Sequence, residues 1–106
     1  MAKMLRNKVK MSKLNLNNNQ IGDEGLQAIS EGLQNNETLR VITIADGGIS
    51  KLSITAFSKT LKNKKFLTKV LLDFNKIGIE GAKILADGLK ENETLTNLHL
   101  SHCLIL

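Results

Sequence analysis

At 106 residues, the chain is long enough for one domain at most. Its single cysteine excludes an internal disulfide and fits a reducing compartment. The formal net charge of +5 permits acidic partners, but three phenylalanines without Tyr or Trp offer little surface for base stacking. No apolar run reaches the length of a signal peptide or a membrane span, so we expect a cytoplasmic protein.

The first ten residues, MAKMLRNKVK, are basic and have two interpretations. In the register of the repeat described next, residues 1–10 match the last turns of a helix. They are therefore predicted to be a partial helix of a preceding repeat, covering the first strand. The alternative is a basic arm, formed by Lys3, Arg6, Lys8, Lys10 and Lys13.

From residue 11 onward, the chain repeats every 28 residues without an insertion. The predicted repeats are 11–38, 39–66 and 67–94, followed by a truncated fourth repeat at 95–106. The third copy, LTKVLLDFNKIGIEGAKILADGLKENET, is the most regular. The matching apolar triplets are Leu14, Leu16 and Ile21; Ile42, Ile44 and Ile49; Val70, Leu72 and Ile77; and Leu98, Leu100 and Ile105.

Each repeat changes from a two-residue to a helical hydrophobic period. The alternating apolar residues predict a short strand, and helices are predicted at about 22–35, 50–63 and 78–91. Gly25, Gly81 and the matching Ser53 are expected to keep each helix close to its strand. Because strands stack at about 4.8 Å and helices need about 8–10 Å, the stack must curve with its strands inside.

An asparagine is expected to satisfy buried backbone groups where each strand ends. Asn19 and Asn75 occupy this position in the first and third repeats. Gly47 interrupts the series in the second repeat, and Cys103 ends it in the fourth.

The spacing L-x-x-L-x-L-x-x-N/C, with I-G-x-x-G at Ile21–Gly25 and Ile77–Gly81, resembles the ribonuclease-inhibitor-type leucine-rich repeats. The N-E-T-L motif at Asn36–Leu39 and Asn92–Leu95 extends this resemblance over nearly the whole chain. The resemblance implies an α/β fold, a right-handed βα solenoid with a parallel sheet on its concave face and helices on its convex face. It also implies binding of another protein, without a cofactor.

The candidate partner-binding residues are the inward-facing strand positions that this family uses. They form three columns and a rim: Lys13, Val41, Lys69 and Asn97; Asn15, Thr43, Leu71 and His99; Asn17, Ala45, Asp73 and Ser101; and, at the rim, Asn18, Asp46, Phe74 and His102. Leu71 and Phe74, with Val41 and Ala45, are predicted to form an exposed apolar patch. The alternative is that single exposed apolar residues are ordinary.

Two other groupings invite a chemical role and are set aside. His99, His102 and Cys103 are expected to point in diverging directions, which disfavours a metal site. Asp73, His99 and Ser101 share one face, but an open strand face supplies no oxyanion donors. We therefore predict a protein without catalytic residues, metal or cofactor.

The fourth repeat is predicted to lack the helix that would cover its strand. Its apolar end, Leu104, Ile105 and Leu106, forms a candidate edge interface, because an unpaired strand edge favours pairing with another chain. A second copy, another chain or further downstream sequence could cover this edge.

These patterns favour a non-catalytic protein-protein interaction module, or scaffold. The first alternative is a structural component of a cytoskeletal or ciliary assembly, or self-association through the C-terminal edge. A further alternative is binding of acidic or nucleic-acid surfaces through Lys59, Lys62, Lys64 and Lys65, although such a cluster is more often a solvated helix end. GTPase activation is disfavoured, because Arg6 and Arg40 are not expected on the inward face.

Overall fold

A computed structural model describes residues 11–103, so the predictions for residues 1–10 and for Leu104, Ile105 and Leu106 fall outside the described residues. The elements in chain order are β1 (Lys13–Asn15), α1 (Gly22–Gly32), β2 (Val41–Thr43), α2 (Lys51–Lys62), β3 (Lys69–Leu71), α3 (Gly78–Leu89) and β4 (Asn97–His99).

The four strands form one parallel sheet in the order β1-β2-β3-β4. Every pairing joins residues 28 positions apart, so Val41 lies between Lys13 and Lys69, and Lys69 is followed by Asn97. Each helix connects one strand to the next and packs against the neighbouring helix. The predicted α/β solenoid with a parallel sheet is therefore confirmed.

The core lies between the sheet and the helices. Ile42, Ile44, Val70 and Leu72 are fully buried, and Phe57 is the largest of the helix side chains that cover them. Burial of this apolar surface is the main stabilising contribution to the fold.

Leu98 occupies the core position of β4 but is 39% exposed. Among residues 11–103, no helix follows β4 to cover it. Within the same described range, no helix has the length and apolarity that a bilayer crossing requires.

The helices begin within one residue of the predicted positions but end one to three residues earlier. In the turn beyond the first helix, Oδ1 of Asn36 accepts from the N–H groups of Thr38 and Leu39 at 3.0 and 2.8 Å. Asn92 makes the same two bonds at the end of the third segment. Side chains that bond nearby backbone groups offer an alternative to helix continuation.

Gly25 and Gly81 make room for an isoleucine rather than for a strand. A Cβ atom on Gly81 would lie 2.4 Å from Cγ2 of Ile77, and one on Gly25 would lie 3.0 Å from Cβ of Ile21. Each isoleucine immediately precedes its helix and turns into the core or its margin. The prediction of close packing was right, but the contacting group is this isoleucine.

Asn75 joins the second and third repeats through a buried amide. Its Oδ1 accepts from the N–H groups of Gly47 and Ile49 at 2.9 and 3.1 Å. Its Nδ2 donates to the carbonyls of Ile44 and Leu72 at 2.7 and 2.8 Å. One side chain thus satisfies four backbone groups in two successive turns.

Asn19 and Cys103 share this repeat position but differ in their surroundings. Asn19 is exposed, so the expectation that it satisfies buried groups was wrong; no turn precedes it among the described residues. Cys103 is buried, and its thiol donates to the carbonyl of Leu72 at 3.2 Å, with the same offset of 31 residues as Asn75 to Ile44. Burial raises the pKa of this thiol.

The first two helices are joined at their N-termini by Asp23. Its carboxylate accepts from the N–H and hydroxyl of Ser50, at 2.9 and 2.6 Å, and from the hydroxyl of Ser53 at 2.6 Å. Burial tends to raise the pKa of this carboxyl, but the hydrogen bonds from Ser50 and Ser53 outweigh it and hold the pKa below its usual value.

We expect Asn75→Ala to lower the free energy of unfolding by about 3 kcal/mol, because several buried backbone groups lose their only side-chain partner. Asn19→Ala removes the same side chain from an exposed site and should change stability by less than about 0.5 kcal/mol. Urea unfolding of both variants measures the difference. Equal effects would contradict a role for burial at this position.

The Asp23 carboxylate makes the stability of the fold depend on pH in the acidic range. Because its pKa is depressed in the folded state, its contribution is present above the ordinary value of 3.8 and is lost as pH falls through the lower folded pKa. Below about pH 4, the free energy of unfolding of the unmodified chain should therefore fall more steeply with decreasing pH than that of Asp23→Asn. Parallel pH dependences for the two proteins would exclude this contribution.

Candidate partner-binding surface

The inward strand face presents the predicted columns, and each member described below is at least partly accessible to solvent. In the first column Lys13, Lys69 and Asn97 are exposed, and Val41 is half-buried. All four project from paired strand positions, so the sheet fixes their spacing. Partner binding through them stays a prediction.

The central column is more apolar. Asn15 and His99 are exposed at its ends, while Thr43 and Leu71 between them are half-buried. The hydroxyl of Thr43 is buried and has no hydrogen-bond partner within residues 11–103.

The third column also holds neighbouring repeats together. Oδ1 of Asn17 accepts from the N–H of Ala45 at 2.6 Å, and Oδ1 of Asp73 accepts from the N–H of Ser101 at 2.7 Å. Each bond reaches the next residue in the same column, 28 positions later. A polar side chain recurring just after a strand, in register with the next repeat, is the signal that could have predicted these bonds.

Charges are segregated along the strands of this face. We call Lys13 and Lys69 the basic edge, because both are exposed at the beginnings of strands. Asp46 and Asp73 lie just after the ends of β2 and β3 and form the acidic edge. Lys69 and Asp73 are four positions apart, which is about 13 Å in extended chain. A partner crossing this face would therefore meet opposite charges at its two ends.

The rim residues share a left-handed backbone conformation. The φ angles of Asn18, Asp46, Phe74 and His102 are 61°, 53°, 62° and 57°. Asn and Asp adopt this region more readily than most residues, whereas a bulky side chain there is unusual. The rings of Phe74 and His102 stack, with centroids 4.7 Å apart and an interplanar angle of 7°.

The predicted apolar patch is smaller than expected. Phe74 is 57% exposed, but Leu71, Val41 and Ala45 are each half-buried between neighbouring side chains. The exposed apolar surface of this face is therefore concentrated at the rim.

The predicted lysine cluster is not a uniform solvated surface. Lys59, Lys62 and Lys65 are exposed, but Lys64 is buried, and its ammonium donates to the carbonyls of Leu33 and Asn36 at the end of the preceding helix. Burial lowers the pKa of Lys64, and the nearby carboxylate of Glu37 opposes that shift.

Lys64 stands where the first and third repeats carry Asn36 and Asn92. A cation at a helix C-terminus is favoured by the helix dipole and satisfies carbonyls that lack intrahelical partners. The prediction that Lys64 belongs to a solvated patch was wrong, because sequence position alone does not reveal this bond.

A groove of about 510 Å³ lies on the helix side, between α1 and α2. Its lining includes Gln34, Glu37 and Lys59. No group of three or more His, Cys, Asp or Glu side chains within residues 11–103 is placed to hold a metal ion. The Asp73 carboxylate accepts a bond from the backbone of Ser101, not from its hydroxyl.

Comparison with known proteins agrees with this architecture. A sequence profile described as Leucine Rich repeat matches residues 8–30. The chain is 34% identical over 92 residues to "NACHT, LRR and PYD domains-containing protein 14" of Mus musculus, covering 85% of this chain and 9% of that protein. It is 30% identical over 102 residues to the ribonuclease inhibitor of Mus musculus, covering 94% of this chain and 22% of the inhibitor. The repeats of this chain are leucine-rich repeats, similar to those of the ribonuclease inhibitor.

Solved structures share the fold. A structure titled "Leiomodin-1 Actin-Binding Site 2 (ABS2)" superposes with a TM-score of 0.83 at 28% identity, covering 94% of this chain and 60% of that one. A tropomodulin C-terminal domain from Caenorhabditis elegans also gives 0.83, at 13% identity, covering 95% of this chain and 64% of that one. The chain thus spans less than two thirds of each of these relatives.

We expect Lys64→Met to lower the free energy of unfolding by about 2 kcal/mol, because two helix-end carbonyls lose a charged donor. Lys62→Met, at an exposed position two residues earlier, should change it by less than about 0.5 kcal/mol. Chemical unfolding of both variants tests this. A neutral Lys64 variant would mean that the ammonium bonds contribute no net stability.

Proposed function

We propose that this chain is a non-catalytic binding module that holds another protein against its inward strand face and rim. The observation that supports this most directly is the charge-segregated face, with a basic edge, an acidic edge and a partly apolar centre. Opposite charges at fixed positions favour one orientation of a partner and disfavour others. Backbone hydrogen bonds already order the sheet, so binding there requires little additional ordering.

The dimensions of the face indicate that the rim must take part. Four strands at about 4.8 Å span only about 14 Å. A standard interface covers about 800 Å² on each partner. A partner therefore has to contact the turns after the strands, where Phe74 and His102 lie exposed.

Charge reversals on the strand face, compared with charge reversals on the helix side, test the proposal. The partner is first isolated by affinity capture and identified by cross-linking, and its dissociation constant is then measured with purified proteins. Lys13→Glu with Lys69→Glu should weaken binding at least about tenfold, which corresponds to about 1.4 kcal/mol. The control is Lys59→Glu with Lys83→Glu, which makes the same charge change at exposed helix positions.

The control should retain affinity within about twofold. If it abolishes binding while the strand-face variant remains unaffected, the partner uses the helix side and the proposal is wrong. Circular dichroism of both variants verifies that each remains folded.

A second candidate is a structural role in an actin-containing assembly. It is favoured by the TM-score of 0.83 and 28% identity to the structure whose title names an actin-binding site of leiomodin-1. Co-sedimentation with filamentous actin tests it directly. A chain that remains in the supernatant at every actin concentration would exclude filament binding.

Self-association and binding of acidic surfaces have weaker support. The exposed Leu98 of β4 leaves an apolar position that a second copy could cover, and light scattering would detect that dimer. The lysine cluster loses Lys64 to the interior, which reduces the charge available for an acidic partner or a nucleic acid.

A further inference from the structure

Phe74 occupies an unfavourable backbone conformation at its rim position. Its φ of 62° lies in the left-handed region, which disfavours bulky side chains, and 57% of its surface is exposed. The same conformation is occupied by Asn18 and Asp46 in the two preceding repeats. Local rules of this kind are most often broken where a residue serves a function.

The backbone places the rim residues in a row. The N–H of Asn18 donates to Ala45 at 2.8 Å, that of Asp46 donates to Asp73 at 2.9 Å, and that of Phe74 donates to Ser101 at 2.9 Å. Neighbouring rim positions therefore follow the strand spacing of about 4.8 Å.

This row leaves one face of the Phe74 ring without an aromatic neighbour. His102, in the following repeat, stacks on one face of the ring. Asp46, in the preceding repeat, lies on the opposite side. In the row of rim positions, the exposed Phe74 therefore has an aromatic neighbour on one side and the exposed Asp46 on the other.

The two acidic side chains here are held in place but keep capacity for further bonds. Oδ1 of Asp46 accepts from Nε2 of Gln20 at 3.2 Å, and Oδ1 of Asp73 accepts from the backbone of Ser101 at 2.7 Å. A carboxylate has about four acceptor sites. The basic edge lies at the other end of the strands, and Lys76 is the nearest cation along the chain.

We propose that Phe74, His102, Asp46 and Asp73, here called the rim site, bind the guanidinium of an arginine on the partner protein. The guanidinium stacks on the open face of Phe74 and donates to Asp46. Arginine fits better than lysine because its planar group both stacks on a ring and forks onto a carboxylate. The inference rests on the proposed function and names the partner group that the rim recognises.

A peptide pair tests the chemistry without the natural partner. The acetylated and amidated peptide Gly-Arg-Gly is titrated into the isotopically labelled chain, and the same peptide with citrulline serves as the neutral isostere. The arginine peptide should bind about fivefold more tightly, with amide shifts concentrated at the rim site. Shifts of equal size with both peptides, or shifts located elsewhere, would overturn the proposal.

Variants connect the peptide result to the rim site. Phe74→Gly and Asp46→Asn should each remove at least half of the preference for arginine over citrulline. Asn18→Gly makes the matching deletion at a left-handed rim position without a ring and should leave the preference unchanged. Retention of the preference in Phe74→Gly would show that the ring is not the platform.

The same variants separate this proposal from the proposed function. If the natural partner loses affinity for Lys13→Glu with Lys69→Glu but binds Phe74→Gly and Asp46→Asn normally, the strand face is used and the rim site is not. If the partner binds the strand-face variant Lys13→Glu with Lys69→Glu with unchanged affinity, the proposed function is wrong, whatever the result for the rim site.

Discussion

The structure depends on hydrogen bonds that cross from one repeat to the next at the same repeat position. Strand pairing supplies a parallel ladder of only three residues for each repeat. Buried backbone groups in the turns still need partners, because an unsatisfied buried group costs about 1–3 kcal/mol. Asn75 provides them between the second and third repeats, and Asn36 and Asn92 do so at the helix ends. Stability of such a stack is set mainly at the contacts between neighbours.

In the second repeat, the hydrogen bonds between neighbouring repeats are kept although its sequence departs from the repeat pattern. Where the first and third repeats have an asparagine and two glycines, it has Gly47, Ser50 and Ser53. Gly47 donates its N–H to the next repeat's Asn75, and the two serines donate to Asp23 of the preceding repeat. Lys64 replaces an asparagine and still satisfies carbonyls of the preceding turn. Each departure is therefore matched by a polar group in an adjacent repeat.

The sequence was sufficient for the fold because one period determines strand, helix and register together. The buried positions of β2 and β3 and the burial of Cys103 both follow from that period. It was insufficient for Lys64 and Asn19. Their surroundings depend on which residues lie one turn away in space. The sequence pattern does not distinguish a buried lysine or asparagine from an exposed one. The stacking of Phe74 on His102 was missed for the same reason, although the 28-residue offset between them was visible.

The position of the rim explains why a binding feature could arise there. The rim residues Asn18, Asp46 and Phe74 donate their backbone N–H groups to the next repeat, while their side chains remain exposed. A substitution at Asn18, Asp46, Phe74 or His102 thus alters the surface without changing the ladder. The left-handed conformation limits this freedom to residues that tolerate it or that are retained despite it. Phe74 belongs to the second kind, and the proposed arginine contact gives a physical reason for a phenylalanine at this position.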